Sequence, residues 1–241
     1  IVGGQTANTE FELLTGNTLG FLSAGTTAFQ LYIHGQMPSL VSNLKAEGYS
    51  GNKAMHPFNP YNYNRPAVYK DFGFTDFIDK FDFPKNVKRV REYISDEANV
   101  DRIISEYEKN RKKTDQPFYM YNMTIQNHSP YDKDAANFKQ PIKIESSKYD
   151  AEANRYLNLI KYSDDSLKQL TGYFEKCKEP TIILFLGDHQ PRLTDEFMNK
   201  ITNGQYQTWS SEQMMKRYQV PFVIWANYDI DKKLSLIHIS E

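Results

Sequence analysis

Residues 180–190 read PTIILFLGDHQ, an almost wholly apolar run that ends in a glycine, a carboxylate and an imidazole. An uninterrupted apolar run of this length is typical of a strand covered on both faces of a parallel sheet. A second apolar run follows over residues 220–225, and helical patterns alternate with strand patterns before it. This alternation predicts an α/β fold, a three-layer sandwich with a mostly parallel central sheet.

Helices and strands alternate along the rest of the chain. Helical spacing of apolar side chains predicts helices over residues 38–46, 65–71, 96–113 and 148–176. Strand patterns cover residues 49–55 and 117–124. Ligands of such sheets bind beyond the carboxyl ends of the strands. Polar candidates follow three of these ends, at His56, 124–128 and 187–189.

Length and composition bound the class of protein. The 241 residues suit one domain, and the formal net charge of −1 without a basic stripe gives no electrostatic signal for nucleic-acid binding. Cys177 is the only cysteine, so an internal disulfide is impossible. Residues 234–241 resemble a translated sequencing adapter, so we assign the domain to 1–233; a genuine C-terminal strand is the alternative.

Asp188 and His189 stand side by side where the first apolar run ends. Carboxylate and imidazole groups are good ligands for Mn²⁺ or Zn²⁺, and adjacent residues on an irregular loop can reach one ion. The pair is therefore a candidate metal site. A capped turn is the structural alternative.

Thr6 follows two glycines near the start of the chain. Thr9 and Glu12 form a possible capping box, which predicts a helix start just after Thr6 and puts its hydroxyl in the positive field of the helix end. A threonine is a poor nucleophile unless a base or a metal lowers its pKa, which an ion at Asp188 and His189 could do. The alternative is a pair of ordinary capping threonines.

Two further segments carry candidate binding groups. His128 follows a predicted strand and could donate to phosphate oxygens or act as a general acid. His56 precedes Tyr63 and Arg65; a guanidinium suits a bidentate grip on phosphate, and the Tyr63 ring could stack on glycerol or a sugar. For each of these residues a purely structural role is the alternative.

Taken in order, these segments resemble the extracellular domain of lipoteichoic acid synthases, in the alkaline phosphatase and sulfatase superfamily. The likeness extends to about residue 228. The segments that carry it are Gly4 to Phe11 (GQTANTEF), Tyr63 to Arg65 (YNR), Tyr69 to Gly73 (YKDFG), Thr124 to Tyr131 (TIQNHSPY) and Gly187 to His189 (GDH).

The resemblance implies a role for each candidate residue. Thr6 would be the nucleophile and, with Asp188 and His189, would bind one divalent ion, Mn²⁺ first and Mg²⁺ or Zn²⁺ as alternatives. Arg65 and His128 would hold the phosphate group, with His128 also catalytic. Tyr63, where the family usually has Trp, would lie beside them, and His56 is a further candidate substrate contact.

The function that the resemblance implies is phosphoglycerol transfer by double displacement. Glycerol phosphate would move from phosphatidylglycerol, through Thr6, to a cell-surface polymer, on the extracellular face of a bacterial membrane. Alternatives are a phosphodiesterase, a sulfatase-like hydrolase or a phosphoethanolamine transferase of the same superfamily. A non-catalytic domain that binds surface glycan or lipid is an alternative of another class.

One departure from the family pattern affects the metal site. The family supplies a glutamate ligand from a first strand upstream of the nucleophile, after transmembrane helices, and this chain starts after that point. We therefore expect weak metal binding and little activity from the 241 residues by themselves.

Overall fold

The computed structural model describes residues 5–23, 25–145, 149–202, 204 and 208–231. The two glycines before Thr6 and the assigned tail at 234–241 lie outside the described residues. The helices are α1 (Thr6–Thr15), α2 (Ala28–Leu31), α3 (Leu40–Ala46), α4 (Arg65–Asp71), α5 (Asp96–Arg111), α6 (Ala151–Phe174), α7 (Asp195–Thr202) and α8 (Ser211–Met215). The strands are β1 (Ser50–Met55), β2 (Asp76–Ile78), β3 (Arg89–Val90), β4 (Tyr93–Ile94), β5 (Phe118–Asn122), β6 (Ile182–Leu186) and β7 (Phe222–Ala226).

The predicted parallel sheet is confirmed at the centre of the molecule. Strands pair in the order β2-β1-β5, and both pairings are parallel. Side chains of a strand alternate between the two faces of its sheet. Ala54 of β1 accordingly packs on one side with α1 to α4, whereas the next residue, Met55, packs on the other with Ile94 and Ile103. Helices on both faces make the three layers.

The long predicted helices form close to the expected bounds, and side-chain caps explain where they begin. Ser95 accepts a hydrogen bond from the amide of Ala98 at the start of α5, and Asp150 accepts one from Ala153 at the start of α6. Each cap satisfies an amide that the first turn leaves unpaired. The two helices pack against each other beside the sheet.

The expectation that the two apolar runs are covered central strands is wrong. They form β6 and β7, which pair antiparallel in a sheet of their own. Their side chains stay open to solvent: Ile182 is 57% exposed and Leu184 is 47% exposed. An apolar run indicates a strand, but its covering depends on which elements pack against it, and that is a property of the tertiary structure.

Gly51 sets the register of β1 against β5. It has a φ of +81°, and the pairing of the two strands shifts between Gly51 and Lys53. A Cβ atom at Gly51 would lie 2.6 Å from the ring of Phe118 and 2.9 Å from the carbonyl of Tyr119. The position therefore needs glycine both for its backbone conformation and for the close approach of β5.

We expect Gly51→Ala to lower the free energy of unfolding by about 2–4 kcal/mol, since it adds a steric clash to the strain of a positive φ. Gly48→Ala is the matched control, because Gly48 has a φ of +85° and no heavy atom would lie within 4 Å of its Cβ. It should lose about 1 kcal/mol. Urea denaturation of both variants gives the difference, and equal losses would contradict this account of Gly51.

Candidate active site

Thr6 is the first residue of α1, with Gln5 as the N-cap. The predicted capping box is wrong, because the helix begins three residues before Thr9. The Thr9 hydroxyl instead donates to the main-chain oxygen of Asp188 at 2.6 Å, and Glu12 accepts from the amide of Leu19. Thr6 itself lies where the amides of the first turn point out of the helix and concentrate positive potential.

The three residues expected to bind metal come together at this helix end. The Thr6 hydroxyl donates to Oδ2 of Asp188 at 2.8 Å, and Nε2 of His189 lies 3.2 Å from the same oxygen. Asp188 follows β6, so Thr6 and Thr9 join α1 to the end of that strand. Residues that are 182 positions apart in sequence thus surround one carboxylate oxygen.

The chemistry of this donor set fits a divalent cation. One carboxylate, one imidazole and one hydroxyl provide the oxygen and nitrogen donors that Mn²⁺ and Zn²⁺ accept. The side chains of Asp188 and His189 are 44% and 34% exposed, so an ion could reach them. No group of three or more His, Cys, Asp or Glu side chains suited to a metal occurs among the described residues. Metal binding at this site stays a prediction.

Glu10, which the sequence reasoning did not single out, lies one turn after Thr6 in α1 and is buried. Its Oε1 accepts hydrogen bonds from Nη2 and Nε of Arg65 at 2.7 and 3.2 Å. Its Oε2 accepts one from the Tyr69 hydroxyl at 2.5 Å. Thr6 and Glu10 are four residues apart and share one face of α1. By fixing Glu10, this contact also fixes the direction in which Thr6 points.

Arg65, which the resemblance makes a phosphate ligand, is buried and paired with a carboxylate. Its side chain is 2% exposed, and its Nε and Nη2 groups are engaged by Glu10. Tyr63 and Asn64 both adopt a positive φ, and Arg65 begins α4 directly after that turn. The role of Arg65 as a phosphate ligand stays a prediction.

Glu10 and Arg65 each stabilise the charged form of the other. Burial raises the pKa of Glu10 above its ordinary value, and the adjacent Arg65 guanidinium opposes that rise. Burial also raises the pKa of Tyr69, so this phenol remains a neutral donor. A buried charge is tolerated when it is paired and hydrogen-bonded, as Glu10 is here.

Tyr63 and His56 are both close enough to Arg65 to interact with its charge. The Arg65 guanidinium carbon is 5.1 Å from the centre of the Tyr63 ring, which is a cation–π contact. His56 is buried after β1, with Nδ1 3.3 Å from the carbonyl of Met123. Burial, followed by the positive charge of Arg65, lowers the pKa of His56 to about 3. His56 is therefore neutral near pH 7 and can offer a ligand a hydrogen bond but no charge.

His128 is exposed in the loop after β5. Its Nδ1 lies 2.7 Å from the main-chain oxygen of Ser129, so Nδ1 carries the proton in the neutral ring and Nε2 remains an acceptor. The ring packs edge-on against Tyr93 at 6.1 Å. The charge of His128 contributes to the lowered pKa of His56, which places the two histidines within electrostatic reach.

Arg91 holds the loop that carries His128, and sequence reasoning missed it. Its Nη1 donates to the carbonyl of Pro130 at 2.7 Å, and its Nη2 donates to those of Gln126 and His128 at 2.7 and 2.8 Å. Arg91 is nearly buried and has a φ of +53° in the turn between β3 and β4. Arg91 lies among other charged residues in the sequence, so the sequence alone does not distinguish it from an ordinary surface arginine.

The sulfatase family matches residues 1–240, which is almost the whole chain. This chain belongs to the sulfatase family. Its central parallel sheet and flanking helices are similar to those of a Vibrio parahaemolyticus protein in the alkaline phosphatase superfamily.

Individual sulfatase-family relatives extend this result. A putative cyclic beta-1,2-glucan modification protein of Rhizobium meliloti is 35% identical over 239 residues, covering 96% of this chain and 36% of that protein. The lipoteichoic acid synthase LtaP from Listeria monocytogenes superposes with a TM-score of 0.72 at 23% identity, covering 93% of this chain and 54% of LtaP.

A second solved structure has the same fold. The phosphoglycerol transferase GacH from Streptococcus pyogenes, in complex with sn-glycerol-1-phosphate, superposes with a TM-score of 0.68 at 22% identity. That match covers 94% of this chain and 56% of GacH. The resemblance to lipoteichoic acid synthases is thus confirmed. The chain spans about a third of the length of the Rhizobium relative and about half of each solved structure.

We expect Arg65→Met in this sulfatase-family chain to lower the free energy of unfolding by about 3–5 kcal/mol, because it leaves Glu10 buried without its cation. Adding Glu10→Gln should recover part of the loss, and a double-mutant cycle from denaturant unfolding measures the coupling.

The control for this pair is Lys200→Met, which breaks the exposed Lys200–Glu196 pair at 2.7 Å. It should change stability by less than about 1 kcal/mol. Equal losses from Arg65→Met and Lys200→Met would show that the buried pair is no more important than a surface one.

We expect Arg91→Lys to speed amide hydrogen exchange in residues 126–131 about tenfold, which corresponds to about 1.4 kcal/mol of lost local stability, because one ammonium cannot reproduce the planar fork on three carbonyls. Arg89→Lys is the control, since exposed Arg89 contacts one carbonyl, that of Glu92. Exchange rates that match in the two variants would contradict the role given to Arg91.

Proposed function

We propose that this chain forms the catalytic part of a metal-dependent phosphoglycerol transferase that acts through a phospho-Thr6 intermediate. The observation that carries the proposal is the hydrogen bond from the Thr6 hydroxyl to Asp188 Oδ2 at the N-terminus of α1. A hydroxyl held by a carboxylate beside the positive end of a helix is suited to attack a phosphorus atom.

In the first half of the reaction, Thr6 Oγ1 attacks the phosphorus of the donor head group. The new bond joins Thr6 Oγ1 to phosphorus, and the bond from phosphorus to the diacylglycerol oxygen breaks. Asp188 Oδ2 accepts the Thr6 proton, and protonated His128 supplies one to the leaving diacylglycerol. A bound divalent ion would supply Lewis-acid chemistry here, by lowering the pKa of Thr6 and neutralising phosphoryl charge; Thr6, Asp188 and His189 are the residues that would hold it.

In the second half, an acceptor hydroxyl attacks phospho-Thr6. Neutral His128 takes the proton of that hydroxyl at Nε2, and glycerol phosphate passes to the acceptor. The bond from phosphorus to Thr6 Oγ1 breaks, and Thr6 Oγ1 takes back the proton that Asp188 Oδ2 had accepted. Arg65 keeps α1 in place through Glu10, and we propose that its positive field also favours the anionic substrate. Positioning and charge stabilisation supply most of the catalysis in phosphoryl transfer. Arg65 contributes to both, by holding α1 in position and by its positive charge.

For the donor we propose phosphatidylglycerol, and for the acceptor a glycerol-phosphate polymer or another surface glycan. The names of the solved neighbours, a lipoteichoic acid synthase and a phosphoglycerol transferase in complex with sn-glycerol-1-phosphate, support the class of group transferred. The name of the Rhizobium relative, which concerns a cyclic glucan, favours a carbohydrate acceptor.

We place the reaction on the extracellular face of a bacterial membrane, where such a lipid and such polymers meet. Within the described ranges, no helix combines the length and the apolar character needed to cross a bilayer.

Hydrolysis is the second candidate function. Asp188 and His189 are open to solvent, so water could replace the acceptor hydroxyl and release free glycerol phosphate. The same intermediate would form, and only the second half of the reaction would differ. A product analysis therefore separates the two functions.

We expect Thr6→Ala in the complete protein to lower glycerol-phosphate transfer by about 10³-fold or more, because no nucleophile remains, whereas Thr6→Ser keeps a hydroxyl and part of the activity. Labelled phosphatidylglycerol, a surface glycan and Mn²⁺ would be supplied, and labelled glycan would be separated from free glycerol phosphate. Circular dichroism checks that both variants fold. Full activity in Thr6→Ala would overturn the assignment, and free glycerol phosphate as sole product would favour the hydrolase.

A further inference from the structure

A cleft of about 400 Å³ lies beside the candidate active site. This volume is within the range of about 300–1,000 Å³ for sites that bind small molecules. Its walls come from the loop after His128, the loop after His189 and the first turn of α6. The lining residues are Ser129, Pro130, Tyr131, Glu152, Arg192, Leu193, Thr194 and Asp195.

The cleft is close to the groups that would carry out the transfer. Ser129 is the neighbour of His128, so their Cα atoms are about 3.8 Å apart. Arg192 is three residues beyond His189, so their Cα atoms lie within about 11 Å. Burial raises the pKa of Tyr131, and the charge of Asp188 is a further cause, which places that carboxylate within electrostatic reach of the cleft wall.

Two charged groups of the wall are available to a ligand. In the part of the chain that the structure describes, neither Arg192 nor Glu152 makes a side-chain hydrogen bond or an ion pair. A guanidinium donates and a carboxylate accepts, so together they match a group that both donates and accepts hydrogen bonds. Sugar hydroxyls have this property, and the rings of carbohydrates present them in adjacent pairs.

The balance of charge bears on the choice of acceptor. Glu152 and Arg192 carry opposite charges, so this pair has no net charge. A polymer with a phosphate on every unit gains no net Coulomb attraction from such a pair, whereas the hydroxyls of a neutral sugar can contact both groups. Bidentate contacts of a planar carboxylate or guanidinium with neighbouring hydroxyls would fix the orientation of the ring.

We propose that this cleft is the acceptor subsite and that it holds a neutral carbohydrate ring between Arg192 and Glu152. The proposal rests on the proposed transferase function, in that the ring held there presents its hydroxyl to the phosphorylated Thr6. Arg192 and Glu152 are specificity groups for the acceptor and take no part in the attack on the donor.

The test measures binding separately from turnover. A neutral glucan oligosaccharide, a short polyglycerol phosphate and sn-glycerol-1-phosphate would each be titrated into the complete protein by calorimetry. Arg192→Gln and Glu152→Gln should each weaken glucan binding about tenfold and leave sn-glycerol-1-phosphate unaffected. Lys133→Gln, a highly exposed charge outside the cleft, is the control and should change neither affinity.

Three results would overturn the cleft proposal. They are no glucan binding to the unmodified protein, glucan binding that both cleft variants keep, and binding of polyglycerol phosphate in preference to glucan with dependence on Arg192. Kinetics then separate this proposal from the function on which it rests. Glucan binding that needs Arg192 in a protein without any transfer activity would refute the transferase and keep the carbohydrate site. An active transferase whose KM for glucan is the same in both cleft variants would refute the cleft.

Discussion

The buried contact of Glu10 with Arg65 and Tyr69 is the interaction on which the site depends. The charged side chains of Glu10 and Arg65 are both 2% exposed, so water cannot take the place of a lost partner. Removing either side chain would leave the other charge buried and unpaired, at a large cost in free energy. The contact joins α1 to α4 and fixes the rotation of α1 about its axis. Thr6, one turn before Glu10, is thereby directed toward the end of β6, where Asp188 accepts its hydrogen bond.

A second constraint acts on the loops that follow the strands, because the backbone of a loop has no regular hydrogen-bond partners. The loop after β5 is held by the guanidinium of Arg91, and the loop after β6 by the hydroxyls of Thr6 and Thr9. The Arg91 and Thr9 contacts use main-chain carbonyls, and the Thr6 contact uses the Asp188 carboxylate. They leave His128 exposed and His189 partly exposed. The site thus consists of reactive groups that are at least partly exposed on a largely buried support.

Much of the fold could be predicted from the sequence, because local patterns decide it. The long helices α5 and α6 follow from apolar spacing and from Ser95 and Asp150 as caps. The parallel pairing of β1 with β5 follows from the alternation of strands and helices. The exposure and antiparallel pairing of β6 and β7 did not follow, since an apolar run carries no information about what packs on it.

For the site, the sequence by itself determined which chemistry is present: Thr6 near a helix start, Asp188 and His189 after an apolar strand, and His128 after another. The resemblance implied that Thr6 and Asp188 share one ion, and the tertiary structure added the direct hydrogen bond between them. Only the tertiary structure decided that Arg65 pairs with Glu10 and that Arg91 holds the His128 loop. The physical reason is the range of the interactions. Periodicity and capping act within a few residues, whereas these contacts join residues that lie from 35 to 182 positions apart.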